Sequence, residues 1–117
     1  MRKLELELKQ VMSSLSGKPI EITAEEIIIA TCQVLDIDRN EMLSPSRKRE
    51  LAECRTIIAG LLSEKLKLIP RQIAELIGHR DRSTAIHALE LYQNLNHSSK
   101  AFRDKVDGVL RRLEGLC

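Results

Sequence analysis

The stretch from Pro70 to Leu91 constrains the fold more than any other part of the chain. It reads as two short helices joined by a tight corner. Pro70 suits a first helical position, where its missing N–H is no loss, and Gly78 can adopt the left-handed conformation that ends a helix. Ala74 and Gly78 are four residues apart, as a close helix crossing tends to need. The pattern predicts a helix-turn-helix, although an ordinary corner in a helical bundle has the same periodicity.

The second helix of this stretch exposes polar groups at its start. We expect Asp81 to be the N-cap, with its carboxylate accepting from the N–H of Ser83 or Thr84. Arg82, Ser83 and Thr84 then face outward over the first turn, and their groups suit base edges and phosphates. The pattern therefore indicates a DNA-recognition helix over about residues 82–94. The apolar residues on the buried faces of the two helices are Ile73, Ala74, Leu76, Ile77, Ala85, Ile86, Leu89 and Tyr92.

The segment Arg80–Ala88, RDRSTAIHA, resembles a motif of the C-terminal DNA-binding domain of DnaA, the bacterial replication initiator. That family typically has Arg-Asp-His-Thr-Thr, then two apolar residues and His-Ala. Ser83 keeps a hydroxyl, and Arg82 replaces the usual His. The resemblance extends over about residues 22–113 and implies an all-α, Trp-repressor-like bundle of five to six helices. The matching positions are Arg80, Asp81, Thr84, His87 and Ala88.

The resemblance also implies roles for single residues. Arg47 would reach the minor groove, and Arg55 would contact a backbone phosphate. Arg80 and His87 match motif positions, and for His87 a packing or orienting role is as open as a DNA contact. The residues expected in the major groove are Asp81, Arg82, Ser83 and Thr84. The other positively charged residues that we expect to contact DNA are Lys48, Arg49 and Arg71.

Two departures from the family bear on the target. Arg82 has a forked donor suited to guanine O6 and N7, so the preferred site need not be the family's A·T-rich box. Pro45, Ser46 and Glu53 stand where the family is often basic, which predicts weaker affinity for the DNA backbone.

Composition fits one helical domain. The chain has 117 residues, enough for a single core, and its only aromatic residues are Tyr92 and Phe102. Aliphatic side chains must therefore fill the core, and a stacking platform for single-stranded nucleic acid is not expected. The net charge is only +2, so affinity for DNA must come from local patches.

The basic stretch Ser44–Arg49, SPSRKR, is the densest run of positive charge. We predict a loop at Ser44-Pro45, followed by a helix capped by Ser44 or Ser46 that runs to about Leu68. Cations at a helix start oppose the macrodipole, which favours a functional reason for Arg47 over a merely solvated face. A minor-groove or phosphate contact would suit such a loop.

Four more helices follow from capping and periodicity. Thr23 and Glu26 form a capping box for a helix to about Leu35, with a buried strand at Ile27–Ile29 as the alternative. Asp38 and Glu41 repeat the capping pattern for a short helix ending near Leu43. Ser98 or Ser99 caps the last helix. Residues 3–16 are predicted to form an amphipathic helix that either docks on its own domain or makes a homodimer. We therefore expect two parts, an N-terminal helix over residues 1–18 and a helix-turn-helix DNA-binding domain over residues 19–117.

The remaining chemistry is sparse. The glycines do not form a phosphate-binding loop, so we expect no nucleotide binding, ATPase or other enzymatic activity, and the histidines lack metal-ligand spacing, so we expect no cofactor. Cys32 and Cys54 are predicted to be buried thiols rather than part of a disulfide framework with Cys117. The first twenty residues show no signal peptide, and no apolar run is long enough to span a membrane. We therefore expect a cytoplasmic protein.

The sequence predicts sequence-preferring binding of double-stranded DNA by the helix-turn-helix and the basic loop. The alternative is a helical protein-interaction module of the same fold that has lost DNA binding. The low net charge and the acidic Glu75 and Glu90 near the motif favour that alternative.

Overall fold

The computed structural model describes residues 22–78 and 80–115, and these residues form helices and connecting turns without a strand. The all-α prediction is confirmed. The predicted helix over residues 3–16, its homodimer contact, His79 and Cys117 lie outside the described residues. The helices are α1 (Ala24–Leu35), α2 (Arg39–Leu43), α3 (Arg49–Leu66), α4 (Pro70–Leu76), α5 (Arg82–Ser98) and α6 (Lys100–Gly115).

Helix α3 is the central element of the bundle. It packs against α1, α2, α4 and α5, while α6 closes the far side against α1 and α5. Its middle is buried on nearly every face, because it is surrounded by other helices rather than lying on a surface. The side chains of α3 with no exposed area are Cys54, Ile57, Ile58, Ala59, Leu61 and Leu62.

Several caps are as predicted. The Thr23 hydroxyl accepts from the Glu26 N–H at 3.1 Å, and the Glu26 carboxylate accepts from the Thr23 N–H at 2.9 Å, so the capping box is complete. The Asp38 carboxylate accepts from the Asn40 N–H at 2.9 Å at the start of α2. The hydroxyl of Ser99, not Ser98, caps α6 through the Phe102 N–H. The capping residues in the sequence therefore predicted the starts of three helices correctly.

The predicted cap of α3 was wrong, and the helix ends two residues before the predicted Leu68. The N-cap is Lys48, without a side-chain hydrogen bond, because the two serines of the loop bond to the loop's own backbone instead. At the other end Lys67 adopts a left-handed φ of 57°, and the helix stops at Leu66. Pro70 follows closely and restricts the residue before it, which leaves no room for another helical turn.

The remaining sequence expectations concern the cysteines and the membrane. Cys32 and Cys54 are buried free thiols, as predicted. None of the described helices is both long enough and apolar enough to span a bilayer.

Candidate nucleic-acid interface

The start of α5 presents an exposed polar turn. Arg82, Ser83 and Thr84 are all exposed, as predicted for the outward face. Asp81 is the N-cap, but its side chain makes no capping hydrogen bond, so that part of the prediction was wrong. Its backbone carbonyl instead accepts from the N–H groups of Thr84 and Ala85 at 3.0 and 3.2 Å, which begins the helical ladder without the carboxylate. The Asp81 carboxylate is thereby exposed beside the Arg82 and Ser83 side chains.

Core packing sets the position of α5. Ala85 has no exposed area and Tyr92 is 3% exposed, so one face of the helix lies firmly in the core. A Cβ atom added to Gly60 of α3 would lie 2.2 Å from the Tyr92 ring, which means that only glycine permits this close crossing. Helix α5 also continues to Ser98, four residues beyond the predicted end at 94.

The turn between α4 and α5 rests on the end of α2. Gly78 has φ +107°, as a glycine that ends a helix should. Its contact differs from the predicted helix crossing with Ala74: an added Cβ would meet the Leu43 carbonyl oxygen at 2.7 Å. The glycine therefore permits close approach of the turn to the start of the basic loop.

The basic loop, residues 44–48, connects α2 to α3. The Ser44 hydroxyl donates to the Glu41 carbonyl at 2.6 Å and accepts from the Ser46 N–H at 3.3 Å. The Ser46 hydroxyl accepts from the Lys48 N–H at 3.3 Å. These bonds shape the loop so that Arg47, Lys48 and Arg49 are all exposed.

Arg55 lies beneath this loop and is only 7% exposed. Its guanidinium makes four hydrogen bonds to backbone carbonyls, with Nε 2.7 Å from the Met42 oxygen. Since a guanidinium has five N–H donors, one is left for the phosphate contact implied by the family resemblance. The observed role is an internal anchor for the loop, which the sequence did not indicate. The carbonyls belong to Glu41, Met42, Ser44 and Ser46.

Arg80 joins the same cluster from the turn before α5. Its Nε donates to the Ile77 carbonyl at 3.0 Å, and its guanidinium also donates to the Ser44 carbonyl. Burial lowers the pKa of Arg55, and the nearby positive charge of Arg80 lowers it further. Two cations thus meet at the Ser44 carbonyl, and the interior of the site is electropositive.

An open groove of about 620 Å³ lies between α5 on one side and the first half of α3, with Arg47 of the basic loop, on the other. The predicted site residues that it brings together are Arg47, Arg55, Arg80, Thr84 and His87. The side chain of His87 is 88% exposed, with Nδ1 4.0 Å from a carboxylate oxygen of Glu90, which argues against a packing role and leaves an orienting role or a DNA contact open. Glu90 also lines the groove and is its acidic member.

The other predicted contacts lie outside this groove. Those that do not line it are Lys48, Arg49, Arg71, Asp81, Arg82 and Ser83. All are exposed, and Asp81 lines a second, smaller depression together with Arg80 and Thr84. Within the described ranges no group of three His, Cys, Asp or Glu side chains is placed to hold a metal ion.

Comparison with known proteins gives one consistent family. The family of the bacterial dnaA protein helix-turn-helix matches residues 24–91, which is more than half of the chain and includes every predicted contact residue described above. Curated relatives include the chromosomal replication initiator protein DnaA of Synechococcus sp. (strain JA-2-3B'a(2-13)), which is 28% identical over 94% of this chain and 24% of the relative.

Two further proteins of the same name show comparable similarity. The one from Thermomicrobium roseum is 31% identical over 80% of this chain and 20% of its own length. The one from Sphingopyxis alaskensis is 33% identical over 84% of this chain and 21% of its own length. The chain therefore spans about a fifth to a quarter of these relatives. By its family match, its helical fold and the exposed first turn of α5 (residues 81–84, called the recognition turn below), the chain belongs to the bacterial DnaA helix-turn-helix domain family.

Proposed function

We propose that the chain binds double-stranded DNA with sequence preference, using the start of α5 in the major groove and the basic loop in the adjacent minor groove. The observation that carries the proposal is the shared groove, whose lining includes Arg47 from the loop and Thr84 from the first turn of α5. A duplex lying across this groove would meet the exposed cations of the loop on one side and the exposed polar side chains at the start of α5 on the other. The family membership supports the helix-turn-helix as the DNA-binding part.

The first turn of α5 has the groups needed to distinguish base pairs. The exposed Asp81 carboxylate can accept from cytosine N4, and the Ser83 and Thr84 hydroxyls can bond either donors or acceptors. Arg82 can fork onto guanine O6 and N7, or swing to a phosphate. The side chains of this turn form no hydrogen bond among the described contacts, so binding would not break an internal one.

The proposed backbone contacts are distributed around the recognition turn. Arg47 enters the minor groove, and Lys48 and Arg49 neutralise phosphates beside it. Arg71, exposed on α4, reaches a phosphate on the far side of the turn. Arg55 adds its positive charge and its one remaining donor from beneath the loop. His87 contacts DNA directly, since its side chain lies open to solvent.

We propose no ATP hydrolysis by this chain, because its five glycines provide no phosphate-binding loop. A role in chromosomal replication initiation is proposed from the name of the relatives, of which this chain matches a quarter at most.

We also propose that the apolar stripe of residues 3–16 forms a homodimer. Sedimentation at several concentrations, with and without residues 1–18, tests it: an unchanged mass contradicts the dimer.

A salt titration of duplex binding tests the central proposal. With a random duplex, log K should fall linearly with log salt, with a slope of about −0.9 for each neutralised phosphate. Selection from a randomised duplex pool should then return a consensus sequence. We expect it to contain a cytosine or guanine at the position that the first turn of α5 contacts. A protein-interaction module that has lost DNA binding would give no measurable duplex affinity at any salt concentration, and that result would refute the proposal.

A further inference from the structure

The carbonyl oxygen of Ser44 is a meeting point for two parts of the interface. Arg55, from the long central helix, donates to it at 2.8 Å, and Arg80, from the turn before α5, donates to it as well. Ser44 is the first residue of the basic loop. The loop is therefore tied both to the core, through Arg55, and to the helix-turn-helix, through Arg80.

The turn and the loop also touch through their backbones. Gly78 lies so close to the Leu43 carbonyl that even a methyl group would clash at 2.7 Å. Arg80 spans this junction, with one contact to Ile77 in its own turn and one to Ser44 in the loop. Hydrogen bonds from a charged donor to a carbonyl are stronger than neutral ones, so the link is directional as well as close.

The hydrogen bond from Arg80 to the loop matters because Arg55 alone does not fix the position of the loop relative to α5. Arg55 fixes the loop to α3, whereas the orientation between minor-groove and major-groove contacts depends on how the loop meets the recognition turn. Arg80, one residue before the N-cap of α5, is the described side chain that hydrogen-bonds both to the loop, at Ser44, and to the end of α4, at Ile77. Arg80 is half-buried and Arg47 is exposed, and both line the groove.

We propose that Arg80 is a positioning residue, which holds the basic loop in register with the recognition helix so that Arg47 and α5 engage one duplex together. This inference rests on the proposed function. It predicts a thermodynamic coupling: the benefit of Arg47 should depend on Arg80, although the two side chains act in different places. A residue that only contacts phosphate would instead contribute independently of Arg47.

A double-mutant cycle measures this coupling. Duplex affinity is compared for the wild type, Arg47→Ala, Arg80→Gln and the double variant, by fluorescence anisotropy at one salt concentration. Arg47→Ala should weaken binding about tenfold in the wild type and less than about twofold in the Arg80→Gln background. Equal losses in both backgrounds would overturn the inference.

Arg82→Ala is the matched control in the same cycle. Arg82 is carried by α5, whose start is seated by the fully buried Ala85 rather than by Arg80. Its substitution should therefore cost the same factor in both backgrounds. A coupling as large as that of Arg47 would mean that Arg80→Gln loosens the whole domain, and the positioning role would be wrong.

A measurement without DNA separates this inference from the proposed function. Amide nitrogen relaxation of the unbound protein should show greater motion at Arg47 and Lys48 in Arg80→Gln, with α3 and α5 unchanged. Unchanged relaxation in the loop would overturn the positioning role. If the wild type bound no duplex, the proposed function would fail, and relaxation alone would decide whether Arg80 positions the loop.

Discussion

The recognition turn and the basic loop, the two parts of the proposed interface, are held in place by different forces. The start of α5 is seated by apolar packing, with Ala85 fully buried and Tyr92 pressed against Gly60. The basic loop buries none of its own residues and is held by hydrogen bonds from Arg55 and Arg80 to its carbonyls. Packing is set by many contacts at once, whereas the loop is tied to other elements by two arginine side chains. The position of α5 should therefore be robust, and that of the loop should be easy to change.

The largest expected effect is at the helix crossing that seats α5. Gly60→Ala should destabilise the fold by about 2–3 kcal/mol, because the added methyl overlaps the buried Tyr92 ring and the core cannot absorb it. Thermal or denaturant unfolding measures the loss. Gly108→Ala is the matched control, since its Cβ would meet Val34 at an ordinary 3.5 Å. It should gain roughly 0.5–1 kcal/mol from helix propensity. Equal effects in the two variants would contradict the close crossing.

The next effect concerns the anchor of the loop. Arg55→Met should cost about 2 kcal/mol of unfolding free energy, because four carbonyl hydrogen bonds are lost and the acceptors are partly buried. The same substitution at the exposed Arg49 should change stability by less than about 0.5 kcal/mol. Chemical denaturation of both variants makes the comparison. An Arg55→Met protein as stable as Arg49→Met would show that the loop does not need its anchor.

Removal of the exposed loop cation should affect binding and not folding. Arg47→Ala should leave the unfolding midpoint unchanged, weaken binding to every duplex about tenfold and relax the A·T preference. The salt slope should also fall by about 1, if the guanidinium neutralises a phosphate as it enters the groove. Arg111→Ala, an exposed arginine of α6 that does not line the groove, should alter none of these. A normal affinity and slope for Arg47→Ala would remove the loop from the interface.

The smallest change in overall affinity is expected at the recognition turn, where specificity should shift instead. Arg82→His should change the preferred base at one position, because an arginine–guanine pair contributes roughly 1–3 kcal/mol of discrimination. The salt slope should stay nearly the same. Selection from a randomised duplex pool compares the two proteins. An unchanged consensus together with a lower slope would place Arg82 on a phosphate.

The same contrast explains what the sequence could predict. Apolar periodicity and capping residues located the six described helices, because burial and local hydrogen bonds act within a few residues of the chain. The anchoring role of Arg55 was missed, because its partners are 9 to 14 residues away and nothing local marks a buried guanidinium. The role of Gly60 was missed for the same reason, since it faces Tyr92 only after α3 and α5 have packed.

The wrong prediction that the Asp81 side chain caps α5 has a different cause. The residue type and position were right, yet its carboxylate bonds to no backbone N–H, and the Asp81 carbonyl begins the helix instead. Cap preferences describe the favoured residue and not the rotamer that it adopts in one protein. An acidic side chain exposed at that place is a better hydrogen-bond acceptor for a base than one already engaged.

The most direct test of the account follows amide chemical shifts of the labelled protein as a short duplex is added. Simultaneous engagement predicts that residues 45–49 and 81–87 shift together, with one common dissociation constant. Amides on the outer face of α6, away from the groove, should stay unchanged. Shifts confined to residues 81–87, or an apparent dissociation constant for the loop that differs from that of α5, would contradict a single interface built from the two regions.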